Sequence, residues 1–402
     1  MSGSGLSRTR LERVHQVLDA HVRQGEVPGL VALVSRRGVT HMDILGHHAP
    51  GGTRTPGNRE MRRTTIFRIA SMTKPVLAAA TMMLVESCRL RLDDPVDEFL
   101  PELANRRVLA RLDGPLSDTV PAGRPITTRD LLTFGAGFGL VLAPPTVPLR
   151  RAMQAAGLEP GPVPAQFDAD EFMRRLGELP LAHAPGEGWM YHTASDVLGV
   201  LLARASGKSL ETLLRQLLFD PLGMKDTGFH VPAEKRDRLP PTWRHDAASD
   251  ALVLHDAPDG AFASPPVFAS GGGGLVSTAD DYLAFARLLL GGGRVGSERL
   301  LSSGAVALMT GDRLGAGQRP AAAGFLGEHY GWGFGVSVCT ARYQLWDNPG
   351  RFGWDGGMGT SAYMDPAEDL VGILLTQRLM DSPAPPKVFQ DFWTSVYQSI
   401  DE

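Results

Sequence analysis

Ser71 and Lys74 stand three positions apart in Phe67-Arg68-Ile69-Ala70-Ser71-Met72-Thr73-Lys74-Pro75, at the head of an apolar run. Residues three apart share a helix face, so a lysine amine there reaches back to the serine hydroxyl. A serine alkoxide is out of reach at neutral pH without a base. A lysine taken out of water sheds its proton, because desolvation disfavours the ammonium form. A helix N-terminus adds a field that favours developing negative charge. The same four letters also describe a helix cap followed by a surface lysine, so the pair alone leaves both readings open.

Tyr191 opens a second candidate segment, Trp189-Met190-Tyr191-His192-Thr193-Ala194-Ser195-Asp196, between the turn cluster Pro185-Gly186-Glu187-Gly188 and an apolar helical pattern. A phenol on a loop before a helix can project into a cleft. A lysine ammonium beside it would lower its pKa and make it a general base. A half-buried core aromatic is the other reading. His192 and Asp196 invite a Ser-His-Asp arrangement, but no G-x-S-x-G elbow is present to offer the serine. The third segment, Phe352-Gly353-Trp354-Asp355-Gly356-Gly357-Met358-Gly359-Thr360-Ser361, is glycine-rich. Such a strand edge can lie close to a ligand, and its backbone N–H groups can hold an oxyanion. A hairpin turn over a buried tryptophan fits the same letters.

The elements that must carry these groups follow from periodicity. Leu11, Val14, Leu18 and Val22 predict an amphipathic helix over 9–24, and 30–34 and 39–46 read as a β-hairpin. Residues 47–63 read as a loop, and Ser71 to Cys88 as a helix that tolerates Pro75 in its first turn. Helical patterns with few strands occupy the middle of the chain, with a loop-rich insert at 144–164. Ser277-Thr278-Ala279-Asp280 is a capping signal before a helix that Gly291-Gly292-Gly293 ends. Strands are expected at 331–338, 341–347, 360–364 and 369–376, and a closing helix at 386–399. The expected fold is α/β of the α+β type: one antiparallel sheet built from both termini, flanked by helices, with an inserted mainly helical subdomain. The boundaries are 9–75 and about 260–402 for the sheet-bearing part and about 76–260 for the helical part, within one catalytic unit. The Gly271-Gly272-Gly273-Gly274 run lacks the Gly-Lys-Ser/Thr ending of a phosphate loop and reads as close backbone packing.

Composition narrows the partners. The 402 residues carry 40 Lys and Arg against 44 Asp and Glu, a formal charge of −4, which argues against nucleic acid. The 47 glycines and 30 prolines are scattered among periodic segments and mark turns. Cys88 and Cys339 allow at most one bridge and no multi-cysteine metal site, and two reduced buried thiols are expected. Met1 to Arg10 is polar and lacks the apolar core of a secretory signal. Val76 to Val85 is roughly half the length that a membrane span needs. These features predict a cytoplasmic protein with no metal and no nucleic-acid or membrane partner; no cofactor is expected, and oligomeric state is left open.

In this order, the three segments resemble the serine hydrolases of the class C β-lactamase, DD-peptidase and family VIII carboxylesterase group. Ser71 and Lys74 match the group's S-x-x-K, Tyr191 its Y-x-N or esterase variant, and Trp354-Asp355-Gly356 its K-T-G or H-x-G. Val27-Pro28-Gly29, Asp220-Pro221-Leu222-Gly223-Met224 and the stretch from Ser270 to Asp281 are similar too, so the resemblance spans roughly 10–400. It implies an acyl-enzyme mechanism. Ser71 would attack an ester or amide carbonyl, Lys74 and Tyr191 would share the base and acid roles, and the N–H groups of Ser71 and Gly357 would form the oxyanion hole. Thr193 stands where asparagine is usual, Trp354 where Lys or His is usual, and Phe134 and Ala136 replace the histidine and serine of L-L-T-H-T-S-G. Together with Asp355 and Gly356, Trp354, Thr193 and Phe134 are the expected substrate-binding residues. The changes make the cleft less polar and weaken the lactamase and peptidase readings. The expectation is therefore a carboxylesterase for small or short-chain acyl esters. The alternatives are a β-lactam or amide hydrolase, an acyltransferase, and a catalytically silent penicillin-binding module.

Overall fold

The computed structural model describes residues 3–52, 58–161 and 165–401. The loop expected over 47–63 and the insert expected over 144–164 therefore lie partly outside the described residues.

The chain begins with helix α1 (Arg8–Arg23), followed by strands β1 (Gly29–Arg36) and β2 (Val39–Gly46). Helix α2 (Thr73–Glu86) enters from a short 3-10 turn, and α3 (Thr193–Ser206) and α4 (Ala279–Leu290) lie further along the chain. Five strands close the sheet: β3 (Tyr330–Trp332), β4 (Ser337–Cys339), β5 (Phe352–Gly356), β6 (Thr360–Asp365) and β7 (Leu370–Thr376). Helix α5 (Lys387–Gln398) ends the fold. The sheet order is β3-β4-β5-β6-β7-β1-β2, antiparallel at every pairing, so strands from both ends of the chain meet at β7 and β1. Leu33 faces Ile373 across that junction.

Strand β1 reads as a continuous apolar run because both its faces are covered. Val31 and Leu33 enter the core shared with α2 and α4. Leu30, Ala32 and Val34 pack with Val14 and Leu18 of α1 and Phe392 and Val396 of α5. Helix α2 is buried from Thr73 through Leu84, which is why its sequence is apolar all round. No helix among the described residues is long and apolar enough to cross a membrane. The capping signal at 277–280 acts as the sequence implies: Thr278 accepts from the Asp281 N–H.

Several local expectations are corrected. The strand expected over 331–338 is two short strands, β3 and β4, separated by a turn. The strand expected over 341–347 is a loop, with Tyr343 and Leu345 left 68% and 60% exposed. Small hairpins were missed at Arg107–Leu109 with Thr119–Pro121, and at Thr242–Asp246 with Ala251–Asp256. Cys88 is exposed rather than buried, whereas Cys339 is buried; both are free thiols.

Candidate active site

Ser71 does not sit inside the long helix but in the 3-10 turn Ala70–Met72 that leads into it. Ala70 takes φ of +44°, a left-handed conformation costly for any residue with a Cβ. Strand β5 holds the turn from the other side. A Cβ at Gly356 would overlap the Ile69 carbonyl oxygen and the Thr360 hydroxyl, so only glycine lets the strand approach. The Thr360 hydroxyl in turn donates to that carbonyl at 3.2 Å.

Lys74 is one turn further on and 1% exposed. Its Nζ lies 2.8 Å from Ser71 Oγ, 2.5 Å from the Gly272 carbonyl oxygen and 3.3 Å from His192 Nδ1. Burial pulls its pKa down to about 7, against the opposing pull of the Asp196 carboxylate. The amine is thus substantially neutral near physiological pH, beside the Ser71 hydroxyl.

Tyr191 projects toward the same point. Its ring centroid is 4.6 Å from Lys74 Nζ, and its phenol hydrogen-bonds Ser71 and accepts from Trp354 Nε1 at 2.6 Å. The expected drop in its pKa does not occur. Burial pushes the phenol well above its ordinary value, and the hydrogen bonds to Ser71 and Trp354 offset this only in part. Burial thus keeps the phenol protonated beside a lysine amine whose own pKa is lowered.

The groups named from sequence divide in two. Ser71, Tyr191, Trp354, Asp355 and Gly357 line a cavity of about 1250 Å³. Burial pushes the Asp355 carboxyl up to about 6. Phe134, 1% exposed, and Thr193, also 1%, lie behind the cavity wall. Phe134 stacks on Trp332 with centroids 4.8 Å apart and meets the Tyr191 ring edge-on at 5.6 Å. Its carbonyl accepts from the Met190 N–H at 2.9 Å, so it holds the segment that carries Tyr191 rather than meeting a ligand. The Thr193 hydroxyl is buried without a partner. Gly356 serves packing, as above.

Three contributors were not assigned from sequence. Phe325 stacks on Tyr191 with centroids 4.6 Å apart and completes an aromatic wall with Trp189 and Trp354. Leu379, Met380 and residues 382–385 line part of the cavity, beside residues from 157–161, 165–167 and 323–330. His192 and Asp196 lie beside Lys74 rather than in a serine triad. No group of acidic, histidine or cysteine side chains among the described residues is arranged to hold a metal.

Known proteins resemble this chain over most of its length. The family described as Beta-lactamase matches residues 14–388. Esterase EstB of Burkholderia gladioli is 31% identical over 393 residues, 93% of this chain and 92% of that protein. An uncharacterized protein of Mycobacterium tuberculosis is 40% identical over 330 residues, 80% of this chain and 79% of that one. Among solved structures, EstCE1, a hydrolase with promiscuous acyltransferase activity, superposes with a TM-score of 0.79 at 24% identity, covering 97% of this chain and 99% of that one. The fold is that of the β-lactamases and penicillin-binding proteins.

Proposed function

The chain belongs to the Beta-lactamase family, and on that premise we propose that it is a serine hydrolase of carboxylic esters working through an acyl-enzyme. The observation that carries the reading is the buried Lys74 amine, 2.8 Å from Ser71 Oγ, with its pKa brought to about 7. Ser71 Oγ attacks the ester carbonyl as its proton passes to Lys74. The N–H groups of Ser71 and Gly357, both on the cavity wall, receive the oxyanion. The protonated Tyr191 phenol delivers a proton to the departing alkoxide, and the Lys74 ammonium replaces it. Water then enters by the reverse of these proton transfers and releases the acid.

An uncharged ester, with a small or short-chain acyl group, fits the wall best. Aromatic rings dominate it around Tyr191, and its charged groups include Glu159, Glu328, Asp347 and Asp355. Arg351 reaches the cavity boundary, but its guanidinium carbon lies 4.0 Å and 4.2 Å from the rings of Tyr363 and Trp393. Those rings also line the cavity, but they belong to the core on the α1 and α5 side of the sheet, whereas Trp354 packs on the other. The charged lining of the cavity is therefore mostly acidic, which disfavours a carboxylate-bearing substrate.

Acyl transfer is a second reading, favoured by the 1250 Å³ of space, far more than a short acyl group occupies. An acceptor alcohol would then take the place of water. Acyltransferase calJ of Penicillium decumbens, 27% identical over 380 residues, is a relative of that kind.

A fluorophosphonate probe followed by mass spectrometry tests the serine. Short p-nitrophenyl esters, assayed with and without an added alcohol, test the reaction. Labelling at Ser71 with ester turnover is expected; a folded protein that is neither labelled nor active would remove the proposal.

A further inference from the structure

His192 is held in a backbone conformation that few side-chain-bearing residues adopt. Its φ and ψ are +83° and −69°, and the Thr193 N–H bonds back to the Tyr191 carbonyl at 3.3 Å, a strained γ-turn of the positive-φ kind. The strain aims the imidazole at Lys74. Nδ1 lies 3.3 Å from Lys74 Nζ, and Nε2 lies 3.3 Å from Asp196 Oδ2. Asp196 is fixed in turn: its Oδ1 accepts from the Ser270 hydroxyl at 2.6 Å and from the Gly272 N–H at 2.9 Å. The four-glycine run makes the room. A Cβ at Gly272 would sit 2.8 Å from His192 Nε2 and 3.1 Å from Asp196 Oδ1, and one at Gly271 would overlap the Ser195 carbonyl.

The tautomer follows from the partners. The Asp196 carboxylate is only an acceptor, so Nε2 carries the imidazole proton and Nδ1 presents a lone pair. A neutral lysine amine has two N–H groups and one lone pair. Gly272 O and His192 Nδ1 are the two fixed acceptors around Lys74 Nζ. With both N–H groups so engaged, the remaining direction is that of Ser71 Oγ.

We infer that His192, fixed by Asp196, is a positioning residue that orients the Lys74 amine so that its lone pair faces Ser71. The inference rests on the proposed role of Lys74 as base. Burial, and then the neighbouring Lys74, lower the His192 pKa, which keeps the imidazole neutral and its acceptor available. Tyr191 is the other titratable group facing Lys74, and it is held protonated.

The test uses the rate of Ser71 phosphonylation by a fluorophosphonate, which forms the Oγ–P bond and expels fluoride. It needs an activated serine but no ester turnover, so it reports separately from the proposed substrate. His192→Leu removes the acceptor and should slow labelling about 100-fold, the loss typical of a misaligned catalytic group. His192→Asn keeps an oxygen near the Nδ1 position and should recover to within about tenfold of the parent protein. Asp196→Asn is isosteric and tests the tautomer without depending on how His192→Leu folds. Its amide turns an N–H toward Nε2, drives the imidazole proton to Nδ1, and should slow labelling about 100-fold with the melting temperature little changed. In the His192→Asn background Asp196→Asn should add little. Parent-like labelling of folded Asp196→Asn, or equal rates for His192→Leu and His192→Asn, would overturn the inference. So would a parent protein whose Ser71 resists the probe. A labelled protein that cleaves no ester would overturn the esterase reading alone.

Discussion

The indole N–H of Trp354 donates to the Tyr191 phenol oxygen across 2.6 Å, joining the third motif segment to the second. Sequence comparison alone makes Trp354 the loss of a polar group. In the folded protein it is a donor that fixes where the phenol points, and its ring packs against Trp332 with centroids 4.9 Å apart. Trp354→Phe keeps the ring and deletes the donor. A net hydrogen bond of about 1.5 kcal/mol corresponds to roughly tenfold. The expected result is a tenfold fall in kcat/KM on a p-nitrophenyl ester. An unchanged value would show that packing alone sets the phenol.

Ser71→Ala removes the covalent route. Turnover should fall by several orders of magnitude and fluorophosphonate labelling should vanish, with thermal stability preserved. Near-normal hydrolysis by the folded variant would assign the nucleophile elsewhere.

Lys74 and Tyr191 converge on one hydroxyl and should behave as a unit. The double variant Lys74→Ala/Tyr191→Phe should be little worse than the more damaged single variant, because groups acting in one proton path are strongly non-additive. Steady-state rates of the four proteins in the cycle decide this; multiplicative losses would mean independent roles.

The pH dependence has a definite sign. Burial lowers the Lys74 pKa to about 7, and only the neutral amine can accept the Ser71 proton. Below that pH the ammonium dominates, so kcat/KM should fall with unit slope as pH drops and level off above it. Tyr191 is pushed up and remains a donor across the plateau. A profile flat from pH 5 to 9 on a substrate with a chemically limiting step would refute Lys74 as the base.

Esters should be preferred to β-lactams. A cephalosporin carboxylate needs a charge-assisted partner, worth about 1.5–3 kcal/mol, or roughly one to two orders of magnitude. Arg351, the one arginine lining the cavity among the described residues, lies against the rings of Tyr363 and Trp393. The measurement is kcat/KM on a p-nitrophenyl ester and on a chromogenic cephalosporin, each corrected for uncatalysed hydrolysis. A higher corrected value for the cephalosporin would reverse the preference.

What the sequence determined by itself was whatever depends on near neighbours in the chain. Helix α1 follows from Leu11, Val14 and Leu18, the start of α4 from Thr278, and the approach of Lys74 to Ser71 from three residues of helical geometry. The doubly buried strands β1 and β7 were legible as apolar runs. Residues 341–347 carry β-forming letters too, but they join no strand of the sheet and remain a loop with Tyr343 and Leu345 outside. Only the tertiary structure decided how charge is distributed in the site. Whether Tyr191 loses or keeps its proton turns on desolvation, which depends on Phe325, Trp354 and Phe134, residues far apart in sequence. His192 and Asp196 read as an incomplete triad in the chain. They acquire a place beside Lys74 because the backbone at His192 is strained, and because Gly272 brings its carbonyl to the same amine. Hydrogen-bond direction and dielectric environment are set by what folds around a group, and spacing along the chain does not encode them.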